Sequence, residues 1–262
     1  MTRPVALVTG ASAGIGLAFA EHFADHDHDL ILVARREARL RELAASLATA
    51  HGIRCTVVVA DLATEEGRAA TRAAVDESGG VRVGVVNAGF GAVGPIATAD
   101  RERQVEMVDL TCAAPPDLVC HLVPQMVARG SGDIVIVSSA AAWQPIPYTA
   151  TYAATKAFGL FLAEALHSEL RGSGVRVVAA CPGPVSTEFG TVAGTGGASN
   201  RIPHETADGV VRATIRALGA GSPRVATGWL ARITTWSAAI LPRRLSVAAA
   251  GAIHRRLTTG DD

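Results

Sequence analysis

Val5-Ala6-Leu7-Val8-Thr9-Gly10-Ala11-Ser12-Ala13-Gly14-Ile15-Gly16 is the stretch that decides the fold, because it joins a short apolar strand to a glycine-rich turn. A helical run, Leu17 to Ala24, follows at once. Gly10 permits a tight turn, Gly14 lets the backbone approach a pyrophosphate, and Gly16 lets helix and sheet pack closely. The helix N-terminus adds free N–H groups and a positive dipole end. This turn, with Ser12, Ala13 and Ile15 inside it, is a predicted dinucleotide site, although a plain strand-to-helix loop shares the pattern.

The rest of the chain repeats the alternation of short apolar runs with longer helical patterns. In Glu37 to His51, for example, the leucines fall on one helix face. Repeated strand–helix–strand units favour a parallel sheet. The sequence therefore predicts a single α/β domain over residues 1–262, with a Rossmann-type, doubly wound, mainly parallel seven-stranded sheet and helices on both faces. The predicted strands are Val5 to Thr9, Leu30 to Ala34, Cys55 to Ala60, Val81 to Asn87, Ile134 to Ser138, Val175 to Cys181 and, after a helix from Thr206 to Leu218, Arg224 to Thr227.

The composition excludes several classes of function. Basic and acidic residues balance at 24 each and only 4% of residues are aromatic, so no nucleic-acid partner is expected. No signal peptide is expected, since the apolar strand pattern begins within four residues, and no apolar run reaches the about 18 residues of a membrane span. The four cysteines have no zinc or disulfide spacing, and the polar segment from His26 to Asp29 is interpreted as a turn. We expect a cytoplasmic protein without a metal.

The end of the second predicted strand indicates which dinucleotide is bound. An NAD-selective site places an acidic side chain there, against the ribose 2′-hydroxyl, but this chain has Arg35 and Arg36. An arginine fork suits a 2′-phosphate, so Arg35, assisted by Arg36 or Ser12, predicts NADP(H) as the cofactor; the alternative is a solvated arginine at a helix start. Asp61, before Leu62, either accepts from the adenine amino group or caps a helix.

A tyrosine and a lysine four residues apart follow the fifth predicted strand. Tyr152 lies thirteen positions beyond Ser139, in a run compatible with a helix. Lys156 follows four residues later, and residues four apart share one helix face. A nearby ammonium favours phenolate and should lower the pKa of Tyr152 toward working pH. Tyr152 is then a predicted acid/base. The same spacing also occurs on exposed helix faces without any function.

Together these motifs resemble the short-chain dehydrogenase/reductase family, classical type, from the first strand to about Phe189. The resemblance rests on the glycine turn, Asp61, Asn87-Ala88-Gly89, Ser139, Tyr152 with Lys156, and Cys181-Pro182-Gly183-Pro184 ahead of Thr187. It implies that Ser139 polarises a substrate carbonyl, that Tyr152 exchanges a proton with its oxygen, and that Lys156 also holds the nicotinamide ribose. It further implies a cofactor site that includes Leu62, Asn87, Ala88 and Gly89, with Pro182, Gly183, Val185 and Thr187 beside the nicotinamide, and a homodimer or homotetramer.

One position departs from the family pattern. Thr111 stands where the family commonly carries an asparagine that holds a water in the proton relay, and a hydroxyl offers one donor where an amide offers two. Pro115 and Pro116 follow and should kink or restart their helix.

The sequence leaves three hypotheses about the function. The first is reversible hydride transfer between NADP(H) and a carbonyl or secondary alcohol, on an apolar substrate. The second is an NADP-binding regulatory or scaffolding protein with weak or no turnover.

The third hypothesis is a membrane-peripheral reductase of lipid-like substrates, and it comes from the C-terminal segment. Trp229 to Leu257 mixes apolar residues with arginines, as helices on membrane surfaces do, and Pro242 divides it into two helices. We favour a helical extension over residues 229–262 that covers the cleft or packs on another subunit, and peripheral membrane contact stays open. The segment from Gly190 to Glu205 is a predicted substrate lid.

Overall fold

The computed structural model describes residues 3–193 and 204–259, and in them seven parallel strands form one sheet in the order β3-β2-β1-β4-β5-β6-β7. The predicted Rossmann-type sheet is therefore confirmed. The strands are β1 Val5–Thr9, β2 Asp29–Ala34, β3 Cys55–Val59, β4 Val83–Val86, β5 Gly132–Val137, β6 Val175–Pro182 and β7 Arg224–Thr227. The α-helices are α1 Gly14–Asp25, α2 Glu37–His51, α3 Glu65–Glu77, α4 Arg101–Val108, α5 Ala114–Arg129, α6 Ala150–Glu169, α7 Phe189–Ala193, α8 Ala207–Gly219, α9 Trp229–Ile240 and α10 Arg243–Thr259.

Both faces of the sheet are covered, which is why the strands are apolar throughout. On β1, Leu7 belongs to the core layer on one face and Val8 to the layer on the other, and both are fully buried. The first layer also holds Met107 and Leu160, and the second holds Phe19. Parallel strands that are buried on both faces lose the alternation of apolar and polar residues.

The order of the strands reverses between β1 and β4. From β1 the chain builds outward to β2 and β3, and then returns to add β4 on the other side. A crevice forms at such a point, outside the carboxyl ends of the strands, and it is where ligands bind in open α/β sheets. Most of the predicted site residues follow the carboxyl ends of the strands β1 to β6, so the topology brings them to one edge.

The helix that carries Thr111 is interrupted. A π-helical turn, Asp109–Ala113, separates α4 from α5, and Pro115 and Pro116 lie in the first turn of α5, directly after Ala114. Prolines are tolerated there because the N–H groups of a first helical turn have no partner within the helix. The backbone stays helical at both borders of this segment, so the predicted kink or restart takes the milder form of a π turn, a feature often found at functional sites.

The C-terminal segment forms two helices on either side of Pro242. The first, α9, packs against the 3₁₀ turn Ala140–Trp143, which follows β5. The second, α10, places Ala250 against Ile146 and Ala153. The pair therefore lies beside the loop that leads into α6. Within residues 3–193 and 204–259, no helix is both long and apolar enough to cross a membrane.

Most of the predicted lid, residues 194–203, lies outside the described residues. At its two described ends, Gly190 is part of α7 and Glu205 forms an isolated parallel bridge with Val185.

Candidate active site

The glycine turn is held by side chains from the neighbouring strand. The Thr9 hydroxyl accepts from the backbone N–H groups of Asn87 and Ala88 at 2.8 and 3.0 Å and donates to the Val85 carbonyl at 3.2 Å. The Asn87 amide in turn donates to the Thr9 carbonyl at 2.9 Å. The ends of β1 and β4 are thereby tied together. Thr9 is a positioning residue for which the sequence offered no separate signal.

Two of the three glycines cannot be replaced by a residue with a side chain, for steric reasons. Gly10 has φ +67°, which favours glycine, and a Cβ there would lie 2.7 Å from the Asn87 amide nitrogen. A Cβ on Gly16 would lie 2.3 Å from the Gly10 carbonyl oxygen, closer than any real contact. Gly14, also at positive φ, has Thr187 above it, 3.0 Å from where its Cβ would be. The glycine turn and the predicted nicotinamide loop therefore meet, and the cradle fits a dinucleotide.

The two arginines after β2 have different partners. Arg36 donates to the Ser12 hydroxyl at 3.1 and 3.0 Å and to Glu188 at 2.7 Å, and Arg39 donates to the same carboxylate at 2.7 Å. These two arginines lower the pKa of Glu188. Arg35 instead pairs with Glu106 at 2.6 Å and, at 3.4 Å, with Asp61. Arg36 rather than Arg35 thus lies against the glycine turn.

Asp61 does not cap α3. The hydroxyl of Thr64 accepts from the Gly67 N–H at 3.1 Å and is the N-cap of that helix. Asp61 accepts from the Ala63 N–H at 3.0 Å and pairs with Arg35, and it remains 37% exposed at the end of β3. The neighbouring Leu62 is buried in the core. An exposed carboxylate at this edge is available to a ligand.

Ser139, Tyr152 and Lys156 come together beyond the ends of β4 and β5. Ser139 is extended and starts the 3₁₀ turn, with its hydroxyl accepting from the Ala141 N–H at 3.1 Å. Tyr152 lies in the first turn of α6 and forms a hydrogen bond with Ser139. The Lys156 ammonium lies 5.9 Å from the centre of the Tyr152 ring and donates to the Val137 carbonyl at 3.0 Å. The predicted juxtaposition of the three side chains is present.

The expected direction of the tyrosine pKa is wrong for this structure. Burial raises the pKa of Tyr152 above its ordinary value of 10.0, while the hydrogen bond with Ser139 acts in the opposite direction. Burial also lowers the pKa of Lys156 from 10.5 to about 8. The reason is the low polarity around both groups, which disfavours a phenolate and an ammonium alike. At neutral pH the site therefore holds a protonated phenol beside an ammonium.

Lys156 is the only lysine in the sequence, in which every other cationic side chain apart from histidine is an arginine. An ammonium adjusts its pKa on burial, whereas a guanidinium stays charged. The position is thus occupied by the one side-chain amine of the sequence, and its pKa can fall toward neutral pH on burial where that of an arginine cannot.

Thr111 lies at the same site but its hydroxyl is already engaged. It is buried and donates to the carbonyl of Met107 one helical turn earlier. Its methyl group and the Lys156 ammonium both face Gly89, at 3.1 and 3.4 Å from where a Cβ would be. A cavity of about 10 Å³ is lined by Thr111, Lys156 and Ala88 among others. That volume is at the lower limit for one water molecule, which the Thr111 oxygen can still accept from.

The loop after β6 forms the opposite wall. Pro182 ends β6 and is paired with Thr227 of β7, and Gly183 packs on Ala231 of α9. A cavity of about 170 Å³ adjoins Gly183 and Pro184. Its lining includes Thr227 and Glu205, each with a buried side-chain oxygen that has no hydrogen-bond partner in the described residues.

Phe189 is a wall residue that the sequence did not indicate. Its ring centre lies 5.6 Å from that of Tyr152, and a Cβ on Gly91 would come within 2.9 Å of the ring. Arg103 holds this side of the cleft by donating to the Val192 carbonyl of α7 at 2.6 Å. The signal for Phe189, a lone aromatic near a glycine-rich loop, is too weak to single out in a sequence.

Comparisons with known proteins agree with this geometry. Residues 4–195 match the family model described as short chain dehydrogenase. The chain is 32% identical to an uncharacterized oxidoreductase from Myxococcus xanthus, over 95% of this chain and 97% of that protein. A short-chain dehydrogenase from Sphingobium yanoikuyae, solved in complex with NADPH, is 32% identical, with a TM-score of 0.82 over 90% of this chain and 93% of that one. A bulky-bulky ketone specific alcohol dehydrogenase from Comamonas testosteroni is 29% identical, with a TM-score of 0.77 over 86% of both chains. This chain therefore belongs to the short-chain dehydrogenase/reductase family of oxidoreductases.

Proposed function

We propose that this protein is an NADP(H)-dependent oxidoreductase that interconverts a carbonyl and a secondary alcohol, with Tyr152 as the acid/base. The observation that carries the proposal is the grouping of Ser139, Tyr152 and Lys156 around one buried point, at the sheet edge where the glycine turn also lies. Proton donor, orienting hydroxyl and ammonium are the groups that reduction of a carbonyl requires.

The residues of this chain then act as follows during reduction. When bound, NADPH supplies the hydride that adds to the carbonyl carbon. The Ser139 hydroxyl donates a hydrogen bond to the carbonyl oxygen and orients it toward Tyr152. The Tyr152 phenol, held protonated by its raised pKa, gives its proton to that oxygen as negative charge develops. The Lys156 ammonium stabilises the resulting phenolate and would bind the nicotinamide ribose through its remaining N–H groups.

The groups near the second strand support a preference for NADP(H). A ribose 2′-phosphate would lie beside the glycine turn, near Ser12, Arg36 and Arg39. In this structure the Glu188 carboxylate pairs with both arginines. A phosphate offers these arginines more acceptors and more charge than a carboxylate. We assign the leading contact to Arg36, with Arg35 as a neighbouring positive charge that pairs with Glu106 and Asp61, and the adenine to Asp61 and Leu62. Asn87, Ala88 and Gly89 would face the ribose.

The walls around Tyr152 support an apolar substrate. Phe189 packs beside the phenol, and a Cβ on Gly91 would meet the same aromatic ring. The nicotinamide end would lie along Pro182, Gly183, Val185 and Thr187. Residues 190–205 would close over the substrate and exclude water during transfer.

The two tyrosines of the chain allow a matched test. NADPH oxidation is measured against a panel of ketones and aldehydes for wild type, Tyr152→Phe and Tyr148→Phe. Both variants lose one hydroxyl, and that of Tyr148 accepts from Arg255 at 3.0 Å. We expect Tyr152→Phe to abolish turnover with NADPH binding intact and Tyr148→Phe to stay active. Full turnover in Tyr152→Phe would overturn the assignment.

A second candidate is an NADP-binding regulatory or scaffolding protein with little turnover. Thr111 favours it, because the hydroxyl is committed to Met107 and offers a relay water no donor. This candidate expects NADPH affinity with no oxidation by any member of the panel, in wild type and both tyrosine variants alike.

We also propose that the protein forms a homo-oligomer through α4 and α6. These helices contact each other and expose Val105, Val108, Phe158 and Phe161. Large apolar patches of this kind are typical of interfaces. Light scattering should give a dimer or tetramer, and Phe161→Asp should reduce it toward the monomer.

A further inference from the structure

The outer face of α9 carries an exposed apolar stripe. Trp229, Ile233, Trp236 and Ile240 are spaced at three and four residues, so they lie on one side of the helix, and their exposed fractions are between 52% and 67%. Ala231, on the opposite side, is buried against Gly183. Leu241 and Leu245, just beyond the helix, are exposed as well. We call these six residues the α9 stripe.

The charged residues of the segment that carries the α9 stripe, apart from its histidine, are all arginines. Residues 229–259 contain five arginines and no aspartate or glutamate, in a chain whose acidic and basic residues balance. Arg232 lies next to the stripe on α9, while Arg243 and Arg244 open α10, and all three are exposed. The segment thus combines large apolar side chains, two of them tryptophans, with several arginines and no acidic residue of its own.

From this combination we propose that the α9 stripe docks on the surface of a bilayer that contains anionic lipids. Tryptophan and isoleucine would enter the boundary between headgroups and acyl chains, with α9 parallel to the membrane plane, and the arginines would contact the lipid phosphates. A second copy of this chain is a poorer occupant, because pairing the same face on two copies brings the exposed Arg232, Arg243 and Arg244 of each copy together, and residues 229–259 hold no aspartate or glutamate to offset them.

The inner side of α9 gives this docking a consequence for the cleft. Leu230 and Ala231 line the cavity beside Gly183, and α9 packs on the turn that begins at Ser139. A bilayer bound to the outer side of α9 therefore lies one helix away from the catalytic groups. An apolar substrate dissolved in the bilayer would reach the cleft along a short path.

The test is sedimentation of the full chain with vesicles of phosphatidylcholine alone and of phosphatidylcholine with phosphatidylglycerol. We expect binding to the anionic vesicles and a blue shift of tryptophan fluorescence. Binding should be weaker at high salt, because salt screens the attraction between the arginines and the lipid phosphates. Ile233→Ser and Trp236→Ser should each weaken binding several-fold. Ile96→Ser, which removes an isoleucine elsewhere that is even more exposed than Ile233, is the matched control and should bind like wild type.

Arginine variants test the charge separately. Arg243→Gln with Arg244→Gln should weaken binding roughly fivefold for each charge removed. Arg101→Gln with Arg171→Gln removes the same charge from exposed positions elsewhere and should leave binding unchanged. NADPH oxidation without vesicles should be equal in all these variants, so a failure of docking is distinguishable from a failure of the proposed reaction.

Three results would overturn the proposal. The first is no sedimentation of wild type with anionic vesicles. The second is equal binding by the stripe variants and the Ile96→Ser control. The third is dimerisation in solution that Trp236→Ser abolishes without any binding to vesicles, which would assign the stripe to a second copy.

Discussion

Replacing Lys156 with methionine should make the protein more stable at neutral pH while it abolishes turnover. Burial lowers the pKa of Lys156 from 10.5 to about 8, so the charged form is disfavoured in the folded state. At about 1.4 kcal/mol per pKa unit, this shift corresponds to a destabilisation of about 3 kcal/mol. Losing the hydrogen bond to the Val137 carbonyl returns about 1 kcal/mol of that gain. The net stabilisation is about 2 kcal/mol, which raises the melting temperature by roughly 4–8 °C.

The stability difference between Lys156→Met and wild type should shrink as the pH rises. Below pH 8 the lysine is protonated in both folded and unfolded chains, so the penalty is fully present. Between pH 8 and pH 10.5 the folded chain loses the proton first, and the penalty disappears. Calorimetry without cofactor should therefore show a gap between Lys156→Met and wild type that is constant at pH 6–7 and shrinks as the pH rises above 8.

Lys156→Gln is the control for the lost hydrogen bond, since it removes the charge and keeps a donor. It should be at least as stable as wild type at pH 7. The reasoning is refuted if Lys156→Met melts at or below the wild-type temperature at pH 7, or if the gap between them does not change with pH.

Four further predictions concern the titration of Lys156, the cofactor contacts of Arg36 and Glu188, and the proton relay at Thr111. Labelling with ¹³C-lysine gives one side-chain resonance, from Lys156, which should titrate with a midpoint near 8, whereas a midpoint near 10.5 would show that the ammonium is solvated. Arg36→Ala should weaken NADPH binding about tenfold to a hundredfold with little effect on NADH; Arg41→Ala, which loses a pair with Glu37, is the control in the adjoining helix α2. Glu188→Gln should tighten NADPH binding by fluorescence titration, because it removes the carboxylate that competes for the arginines, and unchanged affinity would contradict that competition. Thr111→Val keeps the shape but loses the hydroxyl, and should lower kcat several-fold with KM unchanged; an unaltered kcat would remove Thr111 from the proton relay.

The regular elements were predictable because local sequence determines them. The bounds of α2 and β7 agree exactly with the prediction: α2 ends where Gly52, at φ +64°, terminates it. The predicted fourth strand was too long, since β4 ends at Val86. The next residue, Asn87, bonds to Thr9 instead of continuing the ladder to β5. Apolar periodicity alone cannot indicate that exchange of partners.

The candidate site was predictable to the level of residue types, and less so to the level of partners. Spacing was enough to place Tyr152 and Lys156 together, because a helix fixes residues four apart. It did not give the direction of the tyrosine pKa, which depends on burial by distant segments. The pairing of Arg36 with Glu188 spans 152 positions, and no local pattern indicates it.

Transfer of deuterium from the nicotinamide C4 of labelled NADPH to a ketone tests the central claim most directly. Mass spectrometry of the product alcohol should find one deuterium on the former carbonyl carbon for wild type and Tyr148→Phe, and no labelled alcohol for Tyr152→Phe. Labelled alcohol formed at the wild-type rate by Tyr152→Phe, or none formed by wild type with saturating NADPH and every ketone tried, would contradict the account.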